Sequence, residues 1–223
     1  MKLRMKFEKA DPVKYISHLD MMRAFERAFR RGGLPLAFSE GFTPHPRLTF
    51  APALSVGVTS SGEYLDAEFY EDIPAEEVIS RLNSSLPEGL KVLKAGFSDD
   101  KYDLSKINAA SYTVAVSGDF SKEDMEQTVK ELLNQKQIIV DKVSKDKVRK
   151  VDIAPLIHCI NVLSEDDGEV LLRMEVAVGQ GGSVSPDMII KELGKYLSEE
   201  IKVKHIHREN LFLKQEGINL PPL

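Results

Sequence analysis

The apolar spacing of this chain switches between periods of two and about 3.6 residues in a set order, and that order is the strongest constraint on its fold. In Met1–Phe7 the apolar Leu3, Met5 and Phe7 alternate with Lys2, Arg4 and Lys6, the pattern of a half-buried strand. Ser17 follows as a helix N-cap, with Asp20 three residues on, where a capping box places an acidic residue. The helix runs to Arg31, stops at Gly32-Gly33 and carries Leu19, Met22, Phe25 and Phe29 as its apolar face. Leu34–Ser39 reads as a short strand and Glu40–Arg47 as a loop rich in turn formers. Leu48–Val58 and Glu63–Phe69 read as strands split by a turn at Thr59-Ser60-Ser61-Gly62. Pro74 opens a second helix to Leu86, and Leu90–Phe97 returns as a strand. The order is β-α-β-β-α-β, a ferredoxin-like pattern.

A similar order repeats. Ser111–Ser117 is a strand, and Ser121 caps a helix to Gln135, again with an aspartate, Asp124, three residues on. Gln137–Val143 is a strand, Val151–Leu163 and Val170–Val178 form a hairpin around Ser164–Gly168, Ser185-Pro186 starts a helix to Leu197, and Ile201–Leu213 is the last strand. The expected fold is α+β: two tandem ferredoxin-like units with antiparallel sheets, at 1–97 and 109–223, joined by a polar linker at 98–108. Ile218–Leu223 is expected to be a loose tail.

Charge divides along the chain. The net charge is −5, yet residues 1–60 hold 10 basic and 5 acidic residues, while residues 61–100 hold 3 and 10. The basic first block is therefore where an anionic partner belongs. The single cysteine, Cys159, excludes a disulfide framework, a cysteine-based zinc site and a cysteine-ligated iron–sulfur cluster. It reads as a buried small hydrophobe, and a lone thiol fits a reducing cytoplasm. No export signal and no membrane span is expected, because the longest uncharged stretch, Leu48–Gly62, is shorter than a span needs.

Three segments carry candidate chemistry. Arg23, Arg27, Arg30 and Arg31 cluster on one side of the first helix, where planar guanidinium groups fork onto phosphate oxygens. The alternative is a solvated face whose arginines pair with Asp20 and Glu26. In Ser39–Arg47, Pro44 and Pro46 bracket His45 and hold the backbone extended; Phe42 is placed to stack a base or to pack on the sheet, and Arg47 to reach a phosphate, the alternative being a proline-stiffened connector. His18, with Asp20 and His45, forms an acid–base or metal set only if that loop folds back over the helix start. Gly179–Ser183 lacks both the Walker ending and a GxGxxG spacing, so it reads as a connector or an anion cradle. Lys142, Lys145, Lys147, Arg149 and Lys150 form a basic run, partly offset by Asp141, Asp146 and Asp152 and read as a solvated connector or a second anion contact. His205 and His207 share a strand face, with no third ligand suggested by spacing. No GxSxG elbow, HExxH or CxxC occurs.

The residues Tyr15–Asp20, Arg23, Arg27-Ala28, Arg30-Arg31, Leu34-Pro35, Ser39–Phe42 and Pro44–Pro46 together resemble one family. Gly57, Ser60, Glu63–Asp66 and Val151–Ile157 extend the match over essentially the whole chain. The chain resembles the radical-SAM-linked (radical-SAM-associated) proteins, a domain of unknown function fused to or encoded beside cobalamin-binding radical SAM enzymes. Their genes tend to lie near those of ribonuclease E/G-type enzymes and ribosomal proteins. The resemblance implies an accessory to a radical SAM enzyme on a separate chain, acting on RNA or the ribosome, with no cofactor of its own. Element order also resembles tandem ferredoxin-like RNA-binding proteins, including the CRISPR repeat-processing endoribonucleases, but at fold level only.

The expected function is a non-catalytic module that binds an anionic substrate such as RNA through Arg23, Arg27, Arg30, Arg31 and Arg47, with Phe42 and His45 on a base or on the partner. The competing readings are an enzyme using His18 and His45 as an acid–base pair on RNA or nucleotide, and a protein–protein adaptor using the acidic 61–100 surface.

Overall fold

The computed structural model describes residues 1–98, 102–144, 147–197 and 200–223, with backbone alone for Val143, Ser144 and Lys147. The chain forms two compact units: residues 1–107 with 208–223, and residues 108–207. Both are mixed α+β with antiparallel pairing. The second unit therefore does not run to the C-terminus, and the last sixteen residues return to the first. Among the described residues no helix is long and apolar enough to cross a membrane.

The first unit contains β1 (Lys2–Lys9), α1 (His18–Arg31), β2 (Leu48–Phe50), β3 (Thr59–Glu68), α2 (Ala75–Asn83) and β4 (Leu90–Phe97). Its strands lie in the order β4-β1-β3, with short β2 on the C-terminal half of β3. Leu3, Met5 and Phe7 of β1 and Leu65 and Ala67 of β3 form a fully buried sheet face under Phe25, Ala28 and Phe29 of α1 and Val78 and Leu82 of α2. Phe7, Phe25 and Phe50 meet edge to face, with centroids 4.7–6.4 Å apart.

At about 100° per residue, Met21, Phe25, Ala28 and Phe29 are the buried side of α1, and Met22 is half-buried. Leu19, expected in the core, is instead 62% exposed, because its angular position falls beside the arginines. Leu34–Ser39 makes isolated bridges at Leu36 and Phe38 in place of a continuous strand. The expected strand Leu48–Val58 stops at Phe50, ahead of Pro52 and a turn at Gly57, where φ is +85°. The turn expected at Thr59–Gly62 is strand: β3 runs straight through it. Gly62 is required there by close approach, since a Cβ would lie 2.4 Å from the Asn210 Cα.

The second unit contains β5 (Ala109–Ser117), α3 (Lys122–Leu133), β6 (Ile139–Ser144), β7 (Lys147–Asp152), β8 (Ile157–Asp166), β9 (Glu169–Ala177) and α4 (Pro186–Leu197). β10 (Lys202–Gln215) begins here, crosses into the first unit at Arg208 and pairs there with β11 (Ile218–Leu220). The strand order is β10-β5-β9-β8. Ser121 and Asp124 close the expected capping box. The expected strand Val151–Leu163 is broken by a 3-10 turn at Ala154–Leu156 where Pro155 lies, so β6 and β7 pair only with each other.

Residues 98–108 are tied down as well, apart from 99–101, which lie outside the described residues. Leu104 and Ile107 are buried, and the Tyr102 hydroxyl accepts from the Leu213 N–H and donates to the Leu220 carbonyl, each at 2.7 Å. The C-terminal residues are likewise not a loose tail: Leu213 pairs with Leu220, and the Pro222 carbonyl accepts from Arg4.

Candidate nucleic-acid interface

The outward side of α1 carries four exposed arginines. Ser17 caps the helix by accepting from the Asp20 N–H at 3.1 Å, and its hydroxyl donates to the Asp20 carboxylate at 2.7 Å. Asp20 lies 3.6 Å from the Arg23 guanidinium, both largely exposed, so this pair is weak. Arg31 donates to the Ser85 carbonyl after α2, which assigns it to packing. Arg27 and Arg30 have no ion-pair or hydrogen-bond partner among the described residues, and Glu26 does not engage them. The free guanidinium groups are therefore those of the C-terminal half of the helix, about three turns or more from the cap.

The loop at 39–47 is a narrow protrusion. The Ser39 N–H donates to the His45 carbonyl at 2.9 Å, the His45 N–H to the Ser39 hydroxyl at 3.0 Å, and the Arg47 N–H to the Ala37 carbonyl at 2.9 Å. These bonds close its base and leave Gly41, at φ +120°, and a wholly exposed Phe42 near its tip. The ring stands in water, where its face is open to stacking. His45 is also exposed, while Arg47 pairs with Glu68 at 3.0 Å, so its charge is already half committed.

No hydrogen bond or ring contact links His18 to His45 among the described residues. The His18 ring meets Phe50 edge-on at 5.9 Å, and its Nδ1 is buried without a hydrogen-bond partner. His45 lies five residues before Phe50, about 16 Å of extended chain. Among the described residues no three His, Cys, Asp or Glu side chains converge as metal ligands. His205 and His207 stack with centroids 6.2 Å apart. Cys159 is half-buried rather than fully buried, and its Sγ accepts from Asn161 at 3.7 Å. The Gly179–Ser183 loop receives Lys142 Nζ on the Ser183 carbonyl and hydroxyl at 3.3 and 3.4 Å.

Sequence reasoning missed a buried polar cluster beside His18. Glu63 sits at the end of the helix-covered face of β3 and grips Arg208 with both carboxylate oxygens, one at 2.7 Å. Arg208 also donates to the Pro52 carbonyl at 3.0 Å, and buried Lys9 donates to the Lys14 and Ile16 carbonyls. On the opposite face Arg4 and Asp66, directly paired across β1 and β3, form a two-pronged ion pair at 2.7 and 2.8 Å. Buried Tyr64, donating to Asn210 at 2.7 Å, is pushed up to about 12 by its burial and stays a phenol. The signal was two carboxylates inside an apolar strand run, positions that water does not reach.

Burial lowers the His18 pKa; Glu63 raises it, and Arg208 and Lys9 lower it further. The folded chain thus keeps the imidazole neutral in a range where the unfolded chain, near 6.5, takes up a proton. The stability this provides is full above about pH 6.5 and is lost as pH falls through the folded value. Thermal melts between about pH 5 and 7.5 are expected to show a shallower pH dependence in His18→Gln than in the wild type. Parallel dependences would remove His18 from the acid response.

Over 94% of its length the chain is similar to a chain in the crystal structure of a Cbf5–Nop10–Gar1 complex, with a TM-score of 0.57 at 13% identity. A chain in the structure of an H/ACA RNP bound to a substrate RNA containing 2'-deoxyuridine is similar over 96% of this one, with a TM-score of 0.50 and 13% identity. This chain spans only 48% and 47% of those chains, and at such identity the likeness concerns the fold. No curated protein matches the sequence. The family model described as "Uncharacterized protein conserved in bacteria (DUF2344)" matches residues 2–186, including the α1 arginines and the 39–47 loop, and the chain belongs to that family.

Proposed function

We propose that this protein is an RNA-binding module whose contact surface is the outward side of α1 with the Phe42 loop. The observation that carries the reading is the pairing state of the helix: among the described residues Arg27 and Arg30 are exposed cations without partners, and Arg23 is held by a loose, solvated pair. Permanent charges placed in this way are free to exchange counterions for phosphates. Phe42 favours single strands, because an exposed ring stacks only on a base that is not already stacked in a duplex. Fold likeness to a chain in an H/ACA RNP bound to a substrate RNA agrees with this.

Two finer readings accompany it. The two units are read as tandem ferredoxin-like domains; the strand orders β4-β1-β3-β2 and β10-β5-β9-β8 support this. The module is read as the accessory of a radical SAM enzyme on another chain, which rests on the sequence resemblance; this chain's single cysteine cannot supply a three-cysteine cluster. The acid–base reading on RNA or nucleotide has less support, since no hydrogen bond or ring contact links His18 to His45 among the described residues.

Fluorescence anisotropy with a labelled single-stranded 20-nucleotide RNA tests the proposal. At about 50 mM salt the wild type is expected to bind, and Arg23→Gln/Arg27→Gln/Arg30→Gln to bind about a hundredfold more weakly. The log–log salt slope should fall by about 2, at about 0.7 per phosphate contact. A wild type that ignores RNA at that salt sinks the reading. With the protein as bait in native lysate, recovery of a radical SAM enzyme without RNA would favour the adaptor instead.

A further inference from the structure

We propose that the β6–β7 hairpin of the second unit is a phosphate-binding arm, a second contact for the same single-stranded RNA; this rests on the RNA reading above. The arm is an insertion: β6 and β7 pair only with each other and add nothing to the β10-β5-β9-β8 sheet. A lone two-stranded hairpin is marginal in water, so its base must be anchored. It is: Asp152 Oδ1 accepts from the Ile138 and Ala154 N–H groups at 2.9 and 3.0 Å, Val140 is buried, and Lys142 reaches the Ser183 oxygens.

The charges beyond that base are not arranged for stability. Register places Lys142 directly opposite Arg149, a like-charge pair of the kind that weakens a hairpin. Lys142 finds only neutral oxygens, and Arg149 has no partner among the described residues. Lys150, on the other face, lies opposite Asp141 and lines a groove of about 550 Å³ between the arm and α4, whose facing wall carries Lys191. Glu192 in that wall is already neutralised by Lys195 at 2.6 Å. The arm thus presents cations on both faces, in a chain whose net charge is −5. Uncompensated like charges on an element the sheet does not need suit a polyanion, which would relieve their repulsion on binding.

The test compares the full-length wild type, Lys142→Gln/Arg149→Gln/Lys150→Gln, Arg149→Gln alone, and the α1 triple variant, against the same RNA. Because Arg149 faces Lys142, Arg149→Gln is expected to melt at or slightly above the wild-type temperature, while the triple variant, which also gives up the Lys142 contact to Ser183 and the Lys150–Asp141 pairing, is expected to melt slightly below it. The triple arm variant should bind about tenfold or more weakly, with a salt slope shallower by about 2, and Arg149→Gln should lower the slope by about 0.7. Wild-type affinity and slope in both arm variants, with binding lost in the α1 variant, would overturn the arm while leaving the RNA reading intact. A wild type that binds no RNA would overturn both. An arm variant that loses binding only together with its melting transition would assign these residues to stability and overturn the proposal; an unchanged melting temperature in Arg149→Gln excludes that reading.

Discussion

Glu63→Ala is expected to cost about 3–5 kcal/mol of folding stability, because it strands the Arg208 guanidinium inside the first unit. Arg208 is 1% exposed and Glu63 3%. With the carboxylate gone, the cation keeps the Pro52 carbonyl at 3.0 Å and a long contact of 3.4 Å to Ala53, neutral acceptors that do not replace a charge. Nearby Lys9 is a second buried cation, whose pKa burial lowers and Glu63 raises. Losing Glu63 therefore leaves two buried positive charges with less compensation. Urea unfolding followed by circular dichroism reads the loss. The double variant Glu63→Leu/Arg208→Met is expected to recover a large part of it, since removing both charges removes the desolvation cost. A single-variant loss below about 1 kcal/mol would show that the pair is not buried in solution.

Asp66→Ala is expected to cost a similar amount, about 3–5 kcal/mol, with a different consequence. Arg4 gathers the Asp66 carboxylate, the Tyr102 carbonyl at 2.6 Å, the Ser98 hydroxyl at 3.2 Å and the Pro222 carbonyl at 3.3 Å. Its guanidinium also lies 5.2 Å from the centre of the Tyr102 ring. Asp66 therefore holds the residue that ties Ser98, Tyr102 and the C-terminal segment to β1. Hydrogen exchange is expected to show β11 and the amides around Leu213 losing protection in Asp66→Ala, while the protection of α1 changes least. Uniform loss across the first unit would mean that Arg4 does not act as a local clasp.

Local patterning was legible wherever a residue's role depends on its neighbours in sequence. The Ser17 and Ser121 caps, the Gly32-Gly33 stop of α1, the proline that starts α4 and the strand periods of β1 and β9 rest on spacing and backbone chemistry, which act over one turn or one strand. The four α1 arginines were legible for the same reason, since a helix converts spacing directly into a face. Their pairing was not: Arg31 is taken by the Ser85 carbonyl, fifty-four residues away, while Arg27 and Arg30 find no partner among the described residues.

What the tertiary structure decided is which polar residues leave water and where the chain's last strand goes. Basic Arg4 alternates with apolar residues exactly as a solvent-facing position does, so its period gives no warning that the far side of β1 is covered. Ser98, Tyr102 and the return of Arg208–Leu223 to the first unit supply that cover. Thr59–Gly62 has the composition of a turn, yet it becomes strand because Gly62 admits the backbone of β10 at a distance no side chain tolerates. Short-range rules set the caps, the faces and the basic helix. Burial depends on contacts between segments some 150 residues apart, such as Glu63 with Arg208, and separation of that kind leaves no period in the sequence.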